Sequence, residues 1–304
     1  MDMTEVSVVI PTYNRIDLLK RTLKSLERQT VEKDRYEVVV VDDCSNDGTA
    51  DFLRKLNFKG NLKFIIHKDS KKRAAARNSG IRLSKGDVVI FLDDDMGVKE
   101  DFIEQYLNSY KNRDCAGIKG GVKTVWVKND IFLQYLNRKN RGAKRHKKFD
   151  RISFKYFLFS NASVRRELLF KAGFFDEKIK EYGGEDMEFA YRIESLKEGN
   201  FYYNPDAVSY HNHTRTFIDT CHILEKYGSS NLRYIVHKHP ELAKVMFLND
   251  RLFSGWFKKI FLKEGIYRLC MAFYDKLPPP IAFKLIKFCM GYALIKGYHE
   301  NTYR

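Results

Sequence analysis

Glu37-Val38-Val39-Val40-Val41-Asp42-Asp43 sets four consecutive valines between acids. A strand with one face in water alternates apolar and polar residues, so an unbroken apolar run reads as a strand buried on both faces, as in a parallel sheet covered by helices. The flanking sequence repeats the unit. Upstream, Val6-Ser7-Val8-Val9-Ile10 stops at Pro11, and Asn14 reads as the N-cap of a helix with apolar positions at Leu18, Leu19, Leu23 and Leu26. Downstream, a helix begins near Asp47, a strand over Leu62 to Ile66 leads into a helix over Ala74 to Leu83, and a fourth strand, Asp87 to Leu92, runs into Asp93-Asp94-Asp95. The expected fold class is α/β, with a mostly parallel, Rossmann-like sheet flanked by helices. Ligands of such sheets bind outside the carboxyl ends of the strands, so the polar residues that follow each strand are the ones to read for chemistry.

The chain has 304 residues, 44% of them hydrophobic and 14% aromatic, enough for a large core and incompatible with disorder or a fibrous repeat. Its formal charge of +16 calls for an anionic partner, whether nucleic acid, membrane surface or phosphorylated substrate. Five scattered cysteines without a C-x-x-C pair argue against a disulfide framework or a zinc site and for a reducing compartment. Met1 to Glu5 run straight into Val6 to Ile10 without the basic and apolar regions of a secretory signal. The best candidate for a membrane span, Ile281 to Ile295, is interrupted by Lys284 and Lys287. The expected location is the cytoplasm, with peripheral contact to the cytoplasmic membrane face.

After Met96 the pattern becomes irregular. Arg138 to Arg151 holds eight basic residues against one acid, Asp150, and reads as a mobile loop able to close over a donor diphosphate or an anionic acceptor. From about Thr216 onward the chain reads as helical and amphipathic, with Trp256, Phe257, Ile260 and Phe261 on one face and Lys258, Lys259 and Lys263 on the other. Residues 221–304 carry fourteen Lys and Arg against six Asp and Glu. Such helices suit anionic lipid head groups, and they equally suit a cap whose apolar face is buried and whose basic face is solvated.

Asp93-Asp94-Asp95 is the strongest local chemical signal. In an extended backbone alternate side chains share a face, so Asp93 and Asp95 can reach one cation or one diphosphate together. One or two carboxylates plus substrate phosphates is the usual way of holding Mg²⁺ or Mn²⁺. An acidic solvated turn is the plainer reading of three aspartates taken alone.

Their surroundings favour the first. Ser7-Val8-Val9-Ile10-Pro11-Thr12-Tyr13-Asn14-Arg15 is followed by Val40-Val41-Asp42-Asp43-Cys44-Ser45-Asn46-Asp47-Gly48-Thr49. Then come Arg73-Ala74-Ala75-Ala76-Arg77-Asn78-Ser79-Gly80-Ile81 and Phe91-Leu92-Asp93-Asp94-Asp95. Ser160-Asn161-Ala162-Ser163, Ala172-Gly173-Phe174-Phe175-Asp176-Glu177, Gly184-Glu185-Asp186 and Pro205-Asp206-Ala207 ahead of His211 complete the order. This series, over roughly residues 5 to 215, resembles the inverting glycosyltransferases of family 2, the GT-A fold group that uses nucleotide-sugar donors.

The resemblance implies a GT-A catalytic domain over residues 1–219, with a nucleotide-binding half at 1–96 and an acceptor half at 97–219; beyond its motifs, residues 220–304 read from their own pattern as a basic amphipathic helical region. It also implies roles that suit each residue type. Asp42 and Asp43 contact the nucleoside, Pro11, Thr12 and Tyr13 form the wall for its base, and Arg73 and Arg77 offer guanidinium forks to the nucleotide. A salt bridge to nearby acids is the other reading of Arg77. Asp93 and Asp94 belong to the donor site, Asp95 is a direct metal ligand, and Asp93 reaches ribose or a metal-bound water. His211, with His213 as its competitor, is a third metal position suited to Mn²⁺ or Mg²⁺. Asp186 is the general base and Glu185 orients acceptor or donor sugar, although both acids also suit the first turn of a helix over Met187 to Leu196.

The expected partners are a UDP-, GDP- or dTDP-linked sugar, a glycan or lipid-linked acceptor and an anionic membrane surface. A sugar-phosphate nucleotidyltransferase would need a glycine-rich phosphate loop after the first strand, which Pro11 to Arg15 is not. A nucleic-acid-binding protein is disfavoured because strand-end aspartates repel phosphate and no helix-turn-helix, zinc or RNP signature is present. The absence of G-x-G-x-x-G after the first strand argues against a dinucleotide oxidoreductase.

Overall fold

The computed structural model describes residues 4–111, 113–125, 130–212, 215–245 and 263–300. The aromatic face expected around Trp256, Phe257, Ile260 and Phe261, and His213, lie outside them. The chain divides into two compact units, one of residues 1–125, 139–180 and 185–213 and one of 126–138, 181–184 and 214–304. The second unit thus takes in two stretches that lie well ahead of residue 220 in the sequence.

The first unit is built on a sheet. The valine run forms β2 (Tyr36–Asp42), buried over its whole length, between β1 (Val6–Thr12) and β3 (Asn61–Ile66), with β4 (Val88–Leu92) beside β1. These four are parallel. Beyond β4 the sheet mixes directions. β8 (Asn161–Arg165) runs antiparallel to β4 and to β6 (Gly117–Thr124), β9 (Phe201–His211) runs parallel to β6, and β5 (Met96–Val98) and β7 (Arg151–Ile152) pair antiparallel with β9. Because β8 is reversed, it begins where β4 ends, with Asn161 opposite Leu92.

Helices cover the sheet. Helix α1 (Ile16–Leu26) buries Leu19, Leu23 and Leu26 in one core with Val8, Ile10, Val38, Val40 and Ile90. Its N-cap is Arg15, without a side-chain cap bond, rather than Asn14, which sits at φ 52° and turns its side chain elsewhere. Helix α2 (Thr49–Lys55) starts after Gly48. Helix α3 (Lys72–Leu83) carries small residues toward the strands, and a Cβ on Gly80 would fall inside Val9 Cγ1. Helices α4 (Phe102–Lys111), α6 (Arg166–Lys171) and α7 (Glu185–Glu194) complete the unit. Arg138 to Arg151, expected as a mobile loop, contains a turn of 3₁₀ helix at Gly142–Arg145 packed on β6 and ends in β7.

The second unit is helical, comprising α5 (Ile131–Leu136), α8 (Phe217–Ser229), α9 (Asn231–Lys238), α10 (Leu242–Val245), α11 (Glu264–Phe273) and α12 (Pro279–Glu300). Phe132 and Tyr135 of α5 share a core with Phe217, Cys221, Ile286, Cys289 and Ala293. Thr216 caps α8 reciprocally with Asp219, whose carboxylate accepts from the Thr216 N–H and hydroxyl. Among the described residues no helix is long and apolar enough to cross a membrane.

Candidate active site

The loops after β1 and β2 are tied together before any chemistry begins. Asn14 Oδ1 accepts from Asn46 N at 2.8 Å, the Asn14 N–H donates to Ser45 Oγ at 2.8 Å, and Asp47 Oδ2 accepts from Ile16 N at 2.9 Å. Asn14 and Cys44 both adopt positive φ, which turns the chain sharply at each strand end. Beside this brace, Tyr13 is 50% exposed and offers a ring face. Asp42 is fully buried. Its Oδ1 accepts from Ser45 N at 3.0 Å and its Oδ2 has no partner in the protein. A buried carboxylate oxygen left unpaired is costly, and an N–H or O–H from a ligand would satisfy it.

Asp43 is bound up locally. It accepts from His67 Nδ1, Ser70 Oγ and the N–H groups of Lys71 and Lys72, all within 2.8–2.9 Å. Burial works against its charge, but these donors prevail and hold the carboxyl below the ordinary range. Its visible work is to fasten the start of α3 to the end of β2.

The three aspartates after β4 do not continue the strand. Met96 N donates to Asp93 O at 3.3 Å, closing a turn that leads into β5. Each carboxylate therefore meets its own partners, instead of two sharing an extended face. Asp93 accepts from Arg77 Nη2 at 3.0 Å. Asp94 turns inward, 5% exposed, accepting from Thr12 Oγ1 at 2.8 Å and Arg15 Nη1 at 3.3 Å, while Thr22 Oγ1 donates to its carbonyl at 2.7 Å. Burial pushes Asp94 up to about 6 against the pull of Arg15, and Asp95 adds to the rise. Asp95 Oδ2 lies 3.0 Å from Arg15 Nη1 and 3.4 Å from His211 Nε2. The pairing of Met96 with His211 between β5 and β9 brings that imidazole to the turn.

Asp95 Oδ1 is buried and has no partner, so an oxygen donor with capacity left over stands beside an imidazole nitrogen. That set fits a divalent cation whose remaining ligands come from phosphate and water. Among the described residues no group of three or more His, Cys, Asp or Glu side chains gathers as a ready-made metal site, so a cation here would take further ligands from substrate or water.

Asp186 and Glu185 open α7, in the first turn expected for acids. Asp186 Oδ1 accepts from Arg77 Nη1 at 2.5 Å and its Oδ2 from Phe159 N at 3.0 Å. Arg77, 1% exposed, thus joins Asp93 and Asp186 through two nitrogens of one guanidinium. Burial disfavours the Arg77 charge, yet the two acids overcome this and raise its pKa. Burial also opposes the Asp93 charge, and Arg77 with Arg73 outweighs it and lowers that pKa. Glu185, 4% exposed, is pushed up by burial and then by the Asp186 charge, with Arg73 at 3.5 Å opposing.

Two further side chains enter that the motifs do not single out. Arg15 closes the first motif without a role there, though a guanidinium next to a strand-end wall is a natural partner for the aspartates. Lys119, on β6, is 4% exposed and donates to Asn161 O at 2.7 Å and Gly120 O at 3.2 Å. Burial drives it down to about 7, with Asp186 and Asp93 pulling the other way. Its only sequence signal is a lysine inside Gly117-Ile118-Lys119-Gly120-Gly121, a stretch too rich in glycine to read as a strand.

Known proteins are similar to this chain in sequence or in fold. Chondroitin synthase of Escherichia coli is 31% identical over 238 residues, which cover 68% of this chain and 34% of that protein, so the chain spans about a third of its length. Mannosyltransferase PcManGT from Pyrobaculum calidifontis, solved with GDP-Man and Mn²⁺, superposes with a TM-score of 0.63 at 18% identity over 98% of this chain and 88% of that one. Residues 1–349 of S. aureus TarS, solved with UDP-GlcNAc, give 0.58 at 19% identity over 99% and 93%. The two structures share the GT-A fold with this chain, and the sequence pattern described as "Glycosyl transferase family 2" matches residues 7–171. With more than half of its residues inside that match, the chain belongs to glycosyl transferase family 2.

Proposed function

We propose that this protein is a metal-dependent inverting glycosyltransferase that moves a sugar from a nucleotide-diphosphate sugar to a hydroxyl of a glycan or lipid-linked acceptor, in polysaccharide or glycoconjugate assembly. The carrying observation is that Arg77 joins Asp186 at 2.5 Å and Asp93 at 3.0 Å, so that a base candidate and the first aspartate of the D-x-D are held by one buried cation. Inversion in one displacement needs a base on one side of the anomeric carbon and a stabilised diphosphate on the other.

Each residue has a task in this reading. The unpaired Asp42 Oδ2 accepts a base N–H, Tyr13 stacks on the base, and Thr12 and Arg15 hold the Asp94–Asp95 turn. Asp95 and His211 would hold Mn²⁺ or Mg²⁺, which when bound neutralises charge on the departing diphosphate. Asp186 takes the proton of the acceptor hydroxyl on a lone pair that neither Arg77 nor Phe159 N occupies. Arg77 holds that carboxylate in place through its 2.5 Å hydrogen bond. Glu185, held closer to its neutral form, hydrogen-bonds sugar hydroxyls. UDP-GlcNAc in TarS and GDP-Man in PcManGT support a UDP- or GDP-linked donor. Helix α11 has no buried residue and presents Ile266, Leu269 and Phe273 outward between Lys263 and Lys276, which supports peripheral contact with an anionic membrane surface.

A thermal-shift panel of UDP-, GDP- and dTDP-sugars with Mn²⁺, Mg²⁺ or EDTA, run on the wild type and Asp186→Asn, tests this. One nucleotide class should raise the melting temperature only with metal, and Asp186→Asn should keep that shift while losing transfer by about 10²- to 10⁴-fold. Loss of the shift in the variant would place Asp186 in the donor site instead. No shift with any nucleotide sugar would overturn the reading.

A further inference from the structure

Two aspartates of the turn after β4 share one guanidinium. Arg15 Nη1 lies 3.3 Å from Asp94 Oδ1 and 3.0 Å from Asp95 Oδ2, while Asp93 is taken by Arg77. The two ends of this clasp are held unequally. Asp94 is 5% exposed and has a second anchor in Thr12 Oγ1 at 2.8 Å, with Thr22 Oγ1 donating to its carbonyl at 2.7 Å. The Arg15 side chain is 32% exposed, and among the described residues it has no other hydrogen-bond or ion-pair partner. Both of its contacts rest on Nη1, so Nε and Nη2 stay open to a further acceptor.

In its strongest pairing a guanidinium gives two parallel N–H groups to one carboxylate or phosphate. Arg15 instead touches each carboxylate at one point beside water, a grip that a better anion replaces. The oxygen it holds on Asp95, Oδ2, is also the one 3.4 Å from His211 Nε2, and Oδ1 is the buried oxygen without a partner. The positive charge of Arg15 therefore stands on the carboxylate that a metal ion needs. A dication arriving there alone meets like charge within a few ångströms, where Coulomb repulsion is strong. A diphosphate reverses the balance, because it attracts both cations and brings phosphate oxygens for Nε and Nη2.

We propose that Arg15 is a donor-binding residue that exchanges partners. It neutralises Asp95 before the donor binds and passes to the diphosphate of the nucleotide sugar afterwards, so that the divalent cation binds firmly only together with the nucleotide. This deepens the glycosyltransferase reading and rests on Asp95 being a metal ligand.

Mn²⁺ binding to the full chain, read from the electron paramagnetic resonance signal of the free ion with and without UDP or GDP, tests it, with each nucleotide also titrated calorimetrically in EDTA. Arg15→Gln should bind Mn²⁺ alone about tenfold tighter than the wild type and bind nucleotide in EDTA about tenfold weaker. The rise in its Mn²⁺ affinity on adding nucleotide should shrink accordingly. Arg15→Lys keeps the charge and loses the fork, so it should match the wild type for Mn²⁺ alone and still bind nucleotide more weakly; as the milder change it carries the test if Arg15→Gln does not fold. Unchanged or weaker binding of Mn²⁺ alone by folded Arg15→Gln, or unchanged nucleotide binding by Arg15→Lys, would overturn the exchange and leave the glycosyltransferase reading intact. A wild type that binds neither nucleotide, with Mn²⁺ or without it, would overturn that reading and the exchange with it.

Discussion

Arg77 stays charged at 1% exposure because Asp186 and Asp93 each take one of its terminal nitrogens, while the Phe175 ring lies 5.3 Å from its guanidinium carbon. Motif order alone groups these residues into one site, and it leaves open whether Arg77 serves nucleotide or acids. That choice depends on how the turn after β4 aims each carboxylate, and three identical aspartates give no sign of it. Lys119 is invisible in the sequence for a different reason: its role comes from burial, which is a property of the folded sheet. Its lowered value supplies a pH test with a definite sign. Between about pH 7 and the ordinary 10.5, the unfolded chain holds a proton that the folded chain has released, so this residue's contribution to stability rises with pH through that window. Urea unfolding of wild type and Lys119→Met should give a stability difference that climbs toward the wild type by up to about 1.4 kcal/mol per pH unit there and is level at lower pH. A level difference throughout would mean that Lys119 keeps its proton in the fold.

At the scale of elements, the valine-rich strands and the helices between them are readable because burial on both faces leaves an unbroken apolar run. The second half of the sheet is not. β6, Gly117–Thr124, contains three glycines and two lysines, and it is a strand because β8 and β9 pair with it on either side. Packing of α3 on β1 sets the depth at which Arg77 emerges, and Gly80 permits the close approach. Ala is the better helix former by about 1 kcal/mol. Here it would drive a methyl into Val9, and overpacking of this kind costs about 1–3 kcal/mol, so sterics win. Gly80→Ala should therefore lower the melting temperature, and adding Val9→Ala should restore part of the loss. A stabilised Gly80→Ala would show that α3 stands farther from the sheet.

At the scale of the molecule, the motifs end near residue 215 and suggest a helical region from about 220, whereas residues 126–138 and 181–184 also group with the C-terminal helices. No local pattern announces that, because it depends on which distant side chains cover Phe132 and Tyr135. Gly184 adopts φ +92°, and a Cβ there would come within 2.5 Å of Ile235 and 2.7 Å of Tyr227. Asn231 adds hydrogen bonds to the carbonyls of Glu181 and Gly183 at 2.9 and 2.8 Å. Residues 181–184, which lead into Glu185, are thus seated by α8 and α9. Deleting residues 214–304 would uncover Phe132 and Tyr135, each worth about 1.5–3 kcal/mol when buried, and would free residues 181–184. The truncated chain should aggregate or lose transfer although every proposed catalytic residue remains, as size-exclusion chromatography and an activity assay would report. A monomeric, active truncation would show that the helices are dispensable.

The brace of Asn14, Ser45, Asn46 and Asp47 fixes two loops against each other in the protein alone. Their ordering entropy is lost during folding, not on encounter with a ligand. The nucleotide of the proposed donor would meet these loops already joined, so its association is expected in the range of about 10⁵–10⁷ M⁻¹s⁻¹. On the proposed function, discrimination among nucleotides would then lie in residence time, the preferred base being the one that leaves slowly.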